Sequence, residues 1–239
     1  MSIAEAPHAL VLAPMRAELR PVVRAIGGRP DRTADVWVHV GRAGRTRVTA
    51  ALIGVGPGPA GRATKRLLDA ASYDVVVVSG IAGGIGPRVA VGDLVTPAEV
   101  EDLVSGRRFT PEPLGNHAPD GVLSTTAAEL ILDDARLREM TSRGVVALDM
   151  ETAAVAEECE GRQVPWAVFR VVSDRPEEGL LDHAVFELLE ADGSVNLVRT
   201  LRYVAARPGR VRGLAHLARD AAVAARRAAR AAVEACASL

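Results

Sequence analysis

The chain has 239 residues, of which 49% are hydrophobic and 25% charged, the balance of an ordinary globular protein. Its 29 Lys and Arg against 30 Asp and Glu give a formal net charge of -1, so no overall basic excess points to nucleic acid or to an anionic membrane. Two cysteines, Cys159 and Cys236, exclude a disulfide framework and a Cys-rich zinc site and suit a reducing cytoplasm, while the acidic Glu5 argues against a signal peptide. No apolar run reaches the ~18 residues that a bilayer span needs.

The first apolar run, Ala9-Leu10-Val11-Leu12, is short enough to be a buried strand. Residues 15–26 have helical periodicity and stop at Gly27-Gly28. Two strands, 36–40 and 47–55, flank turn residues 41–44, and a Gly/Pro stretch at 54–59 leads into a helix over 60–71. Val75-Val76-Val77-Val78 is apolar and β-branched throughout, the signature of a central strand buried on both faces. It runs into Ser79-Gly80-Ile81-Ala82-Gly83-Gly84, which reads as a glycine loop, and Gly92-Asp93-Leu94-Val95 begins another strand. Residues 105–121 read as a long loop, 129–142 as a helix, 145–148 as a strand, and 151–160 as a helix. A strand over 166–172 ends at Ser173-Asp174, and the Ala- and Arg-rich stretch 214–235 is helical by propensity. Strands alternating with helices imply an α/β protein with a largely parallel sheet, a single domain with a helical tail from about residue 199.

Ligands of open α/β sheets bind beyond the carboxyl ends of the strands. Four such ends carry unusual residues: 15–18, 79–84, 149–151 and 173–174. The glycine run lets backbone approach a ligand, or is simply a tight turn; it lacks the Lys-Ser/Thr ending of a P-loop and the dinucleotide spacing. Asp149 and Glu151 either serve a ligand or cap a helix, and Glu18 is either functional or a solvated surface acid. Three carboxylates from separate strand ends beside one glycine loop favour the functional alternative.

Taken in order, these segments resemble the nucleoside phosphorylase and nucleosidase superfamily, whose members cleave the N-glycosidic bond of nucleosides. Ala147-Leu148-Asp149-Met150-Glu151-Thr152-Ala153-Ala154 is similar to its acidic-Met-Glu ribose segment, and Val168-Phe169-Arg170-Val171-Val172-Ser173-Asp174 to its strand ending in Ser-Asp. Residues 79–84 with Val91-Gly92-Asp93-Leu94-Val95 resemble its central glycine loop and next strand. Met15 and Glu18 resemble the Met-x-x-Glu element of the methylthioadenosine/S-adenosylhomocysteine nucleosidases. Within the superfamily, Gly-Ile-Ala-Gly-Gly and the tail segments 188–197 and 207–209 resemble the hopanoid-associated phosphorylases, linked to removing adenine from adenosylhopane. The resemblance implies a three-layer α/β/α sandwich, a homo-oligomer, a small-molecule nucleoside as partner, no nucleic acid, and no cofactor beyond phosphate as a candidate co-substrate.

It also implies roles. Asp174 would protonate the departing purine, with a pKa raised by burial and neighbouring acids. Glu151 would accept hydrogen bonds from the ribose hydroxyls, Met150 and Met15 would pack near the sugar, and Ser173 would stand beside the acid. Glu18 would orient or deprotonate an attacking water; Gly80, Ile81, Ala82 and Gly83 would line the site. Two departures bear on the nucleophile. Ile81 stands where the nucleosidases have a water-holding Ser, and Val78 and Ile81 stand where hexameric phosphorylases bind phosphate. Arg16 is either a replacement phosphate cation or a solvated arginine, and the base-stacking aromatic is replaced near Leu130. The implied activity is cleavage of a 5′-substituted adenosine by hydrolysis or phosphorolysis, with a futalosine-type hydrolase or a non-catalytic nucleoside-binding protein as alternatives. The tail arginines Arg219, Arg226, Arg227 and Arg230 form either a solvated face over an Ala seam or an interfacial membrane helix. The five histidines, His8, His39, His117, His183 and His216, have no metal-ligand spacing.

Overall fold

The computed structural model describes residues 6–33, 36–126, 133–176 and 211–239. The two apolar runs become neighbouring parallel strands, β1 (His8–Ala13) and β5 (Val75–Gly84), paired from Ala9↔Val75 to Leu12↔Val78. Both are buried over this stretch, which is why neither alternates polar and apolar residues. Beyond β1 lie β4 (Thr46–Leu52), parallel to it, then the antiparallel β3 (Val36–Ala43) and, at the edge, β2 (Arg29–Thr33). On the other side of β5 stands β11 (Trp166–Asp174), parallel to it, with the two-residue β6 (Leu94–Val95) against β11. From the far end of β5 the sheet continues through β10 (Val145–Asp149), β9 (Val122–Thr125), β7 (Glu99–Asp102) and β8 (Arg108–Phe109).

Helices cover both faces. On one, α1 (Arg16–Ala25) and α5 (Val211–Cys236) pack Leu19, Val22, Ala229 and Ala232 against Val11, Val77 and Phe169. On the other, α2 (Pro57–Ala70) and α4 (Thr152–Glu160) pack Leu67 and Ala156 against Leu10, Val76 and Val168. α3 (Asp134–Ser142) covers the β10 end through Leu137 and Met140. The result is a three-layer α/β/α sandwich around a mixed sheet whose central strands β4, β1, β5 and β11 run parallel.

The largest local departure from the sequence reading is at 79–84, which is strand and not loop. β11 supplies hydrogen-bonding partners all along it, from Trp166↔Val76 to Asp174↔Gly83, and this ladder keeps the glycines extended. Strands β2, β7 and β9 lack the apolar alternation that reveals a strand, and β8 interrupts the loop expected at 105–121. The helix expected from residue 15 begins at Arg16 with Met15 as its N-cap, and the tail helix begins at Val211. The start of the helix expected at 129–142, Leu130, and the tail segments 188–197 and 207–209 lie outside the described residues. On α5 the Ala seam is buried while Arg219, Arg226, Arg227 and Arg230 are exposed. Among the described residues no helix is long and apolar enough to cross a membrane.

Candidate active site

Pro14 and Met15 end β1 and start α1, which places Glu18 at the third helical position. There its carboxylate reaches back to the N-cap, accepting from the Met15 amide through Oε2 at 2.8 Å. The other oxygen accepts from the Ile81 amide, also at 2.8 Å. That contact exists because β1 stops pairing with β5 at Val78 and β10 begins only at Gly83. A side chain, not a strand, thus fills the intervening edge. Gly80 is required at this point: an added Cβ would overlap both the Glu18 carboxylate and the Arg170 guanidinium.

Arg170 comes from the middle of β11, directly opposite Gly80, and is fully buried. Its guanidinium donates to Asp149 in a very short contact, to Glu151 Oε2 at 3.2 Å and to the Ile81 carbonyl at 3.3 Å, and lies 3.8 Å from Glu18 Oε1. Asp149 also accepts from the Thr125 hydroxyl at 2.7 Å and from the Thr152 amide at 3.2 Å at the start of α4. Glu151 accepts from the Gly56 amide at 2.8 Å. Gly56 caps α2 with φ +89, a conformation that only glycine adopts without strain, and Pro57 follows at the first helical position.

One guanidinium therefore serves three buried carboxylates. Burial pushes the Glu18 pKa up to about 7, against the pull of Arg170 and the two amides. Burial likewise raises Glu151, opposed by Arg170 and reinforced by Asp149. Burial alone would disfavour the Arg170 charge, but Asp149, Glu151 and Glu18 outweigh it and hold the guanidinium above its ordinary value. The cluster carries surplus negative charge, so it favours a proton or a cation.

Farther along β11 the register shifts between Val172 and Asp174, so that Ser173 and Asp174 together oppose Gly83. Such a bulge re-aims side chains beside a site. The Ser173 hydroxyl donates to Asp174 Oδ1 at 2.5 Å, and Asp174 Oδ2 would lie 3.6 Å from a Cβ added at Gly83. Asp174 lies roughly 10 Å from Arg170 along the strand, about the length of a ribose with its base. Met15, Met150 and Ile81 are half-buried beside these groups, Ala82 is buried, and Arg16 is exposed at the first position of α1.

A family profile described as the phosphorylase superfamily matches residues 9–131 and 116–206, most of the chain. The protein belongs to the phosphorylase superfamily. Among curated superfamily relatives, the 5'-methylthioadenosine/S-adenosylhomocysteine nucleosidase of Chromohalobacter salexigens is 28% identical over 194 residues, covering 69% of this chain and 83% of that protein. The nucleosidase of the same name from Mycobacterium tuberculosis is 26% identical over 244 residues, covering 82% and 90%. Among solved structures, the Neisseria meningitidis nucleosidase in complex with methylthio-immucillin-A superimposes with a TM-score of 0.72 at 20% identity, covering 97% of this chain and 99% of that one. The futalosine hydrolase of Helicobacter pylori gives a TM-score of 0.68 at 18% identity, covering 94% and 95%.

On this superfamily scaffold the structure brings Glu18 and Glu151 to one guanidinium and sets Asp174 and Ser173 farther along the same strand. Sequence reasoning gave no role to Arg170. The available signal was a lone charge inside the otherwise apolar run 166–172, since a fully buried arginine demands paired anions. Asp149, weighed as either a ligand group or a helix cap, turns out to hold Arg170 and to accept from the first amide of α4.

Proposed function

We propose that this protein hydrolyses the N-glycosidic bond of a purine nucleoside, a 5′-substituted adenosine. The superfamily membership and the nucleosidase names of its relatives support glycosidic cleavage. The observation that carries hydrolysis over phosphorolysis is the charge of the cluster around Arg170. A phosphate anion placed there would meet three buried carboxylates, and the guanidinium is already committed to them. The same surplus stabilises the positive charge that develops on the ribose as the bond to the base breaks.

Asp174 gives a proton to the purine as the C1′–N9 bond opens. Glu18, oriented by the Met15 and Ile81 amides, takes a proton from the water whose oxygen bonds to C1′; its raised pKa matches a base working near neutrality. Glu151 accepts hydrogen bonds from the ribose hydroxyls, and Arg170 keeps Glu18 and Glu151 in place. Adenosylhopane, suggested by the resemblance of the central loop, belongs in the substrate panel beside methylthioadenosine, S-adenosylhomocysteine, adenosine and futalosine.

Product analysis on that panel with and without phosphate tests the proposal. Free base and free sugar with phosphate absent are expected. Base released only with phosphate, alongside ribose 1-phosphate, would replace hydrolysis by phosphorolysis and promote Arg16. The variant Asp174→Asn is expected to lose 10²–10⁴-fold in turnover while still binding nucleoside. Retained turnover would remove Asp174 from the acid role.

A further inference from the structure

The outer surface of the α1–α5 layer is basic although the chain as a whole is not. Leu19, Val22 and Ile26 of α1 share one buried cluster with Ala232, Ala235 and Cys236 of α5, so both helices lie on the same face of the sheet. Their outward sides form one layer. On α1, Arg16, Arg20 and Arg24 recur every four residues and all are exposed, whereas the acid of that helix, Glu18, is buried. On α5, exposed Arg219, Arg226, Arg227 and Arg230 stand against two acids, Asp220 and Glu234. Glu234 engages Arg230 at 2.7 Å and Asp220 faces His216 at 3.1 Å. Leaving Arg16 aside, six exposed arginines stand against these two acids among the described residues of the two helices.

Beside this layer the edge hairpin presents Trp37, which is 66% exposed, with the Arg32 guanidinium 5.1 Å from the centre of its ring. Alternation along β3 puts Trp37 on the same side of the sheet as His39. A Cβ added at Gly28 would lie 3.2 Å from both His39 Cβ and Val23 Cγ1, so that side is the α1 side. Val38 pairs with Ala51, and Ala51 with Leu12; Trp37 is therefore at the end of the sheet where β1 delivers Glu18.

We propose that this layer docks the protein on an anionic lipid bilayer, with the Trp37 indole in the headgroup region and the arginines of α1 and α5 facing lipid phosphates. An indole carried next to arginines suits the interface between water and hydrocarbon. The described arginines are spread over two helices of one layer, and aromatics make up only 3% of the chain. That favours a flat bilayer over a nucleic acid, whose single strands are gripped in grooves by stacked rings. The inference does not depend on the reaction proposed above.

The second tryptophan, Trp166, is buried at 2% exposure, so Trp166→Phe leaves Trp37 as the sole reporter of indole fluorescence. Its emission is expected to shift to the blue with vesicles of equimolar phosphatidylcholine and phosphatidylglycerol, not with phosphatidylcholine alone, and to return in high salt. Flotation of the unmodified protein with the same vesicles covers the case in which Trp166→Phe fails to fold. Partitioning should fall about fivefold for each arginine removed in Arg20→Gln, Arg24→Gln and Arg226→Gln, with turnover of a soluble nucleoside unchanged. No flotation with anionic vesicles, or equal flotation with neutral ones, would overturn the proposal. So would a blue shift that needs only rising protein concentration, meaning two copies meet there, or one produced by duplex DNA and not by vesicles.

Discussion

Two buried carboxylate clusters in this sheet solve the same problem in opposite ways. Glu101 on β7 is buried but has two arginines, Arg143 in a very short contact and Arg108 at 3.4 Å, and the Ser124 hydroxyl at 3.3 Å. Both arginine side chains remain partly in water, 40% and 51% exposed, and Arg108 also pairs with Glu99 at 2.5 Å, so two guanidiniums meet two carboxylates and the charge is balanced and cheaply solvated. At Arg170 that balance is absent, with one fully buried guanidinium among Glu18, Asp149 and Glu151. The first arrangement satisfies a carboxylate and ends there. The second leaves unbalanced charge in a place where water cannot screen it, and such stored electrostatic bias is what a site for a cationic transition state needs.

The sharpest way to break this contrast is Arg170→Met. Removing the cation that holds these buried anions among the described residues should cost about 3–5 kcal/mol in urea unfolding and abolish turnover. A loss below 1 kcal/mol would mean that the carboxylates are solvated or protonated. Next comes the pH dependence. In the folded protein Glu18 holds its proton up to about 7, while its ordinary value is 4.5. The folded state thus binds more protons across that window, so stability is greatest below it, falls as pH rises from 4.5 to about 7, and levels off above. For one fully buried carboxyl this is on the order of 3 kcal/mol, with Glu151 acting in the same direction. Unfolding curves of Glu18→Gln should have a visibly shallower slope over that window, and an unchanged slope would put the raised pKa elsewhere.

Gly80→Ala should cost about 1–3 kcal/mol, since the new methyl displaces both Glu18 and Arg170. Gly83→Ala makes only an ordinary 3.6 Å contact with Asp174 and should change melting little. Smallest of all is Arg143→Gln. Glu101 keeps Arg108, and the lost partner is partly exposed, so about 1 kcal/mol or less is expected with turnover unaffected. A large activity loss there would erase the distinction between the two clusters.

Much of this architecture was legible in the chain. The runs 9–12 and 75–78 are apolar throughout, and 166–172 is apolar but for Arg170, because they are buried in the centre of the sheet; such hydrophobicity marks each as a strand and Val75–Val78 as a central one. Strand β2 at one edge of the sheet and β7, between β9 and β8 near the other, carry charges at most of their positions and gave no such signal. The carboxylates of the site were visible as strand-end residues, but their common partner was hidden inside a strand. Net charge misled in a similar way: a total of -1 conceals a basic face, because a sum over the chain carries no information about direction.

Composition and periodicity by themselves determined the α/β class and the largely parallel sheet, because these depend on local propensity, and the motifs in their order carried the resemblance to the superfamily. Only the tertiary structure decided that the glycine run is a strand, that Glu18 occupies the gap left between β1 and β10, and that three acids share Arg170. Those outcomes depend on backbone pairing and charge proximity between segments up to 152 residues apart, from Glu18 to Arg170, distances over which a sequence pattern has no geometry.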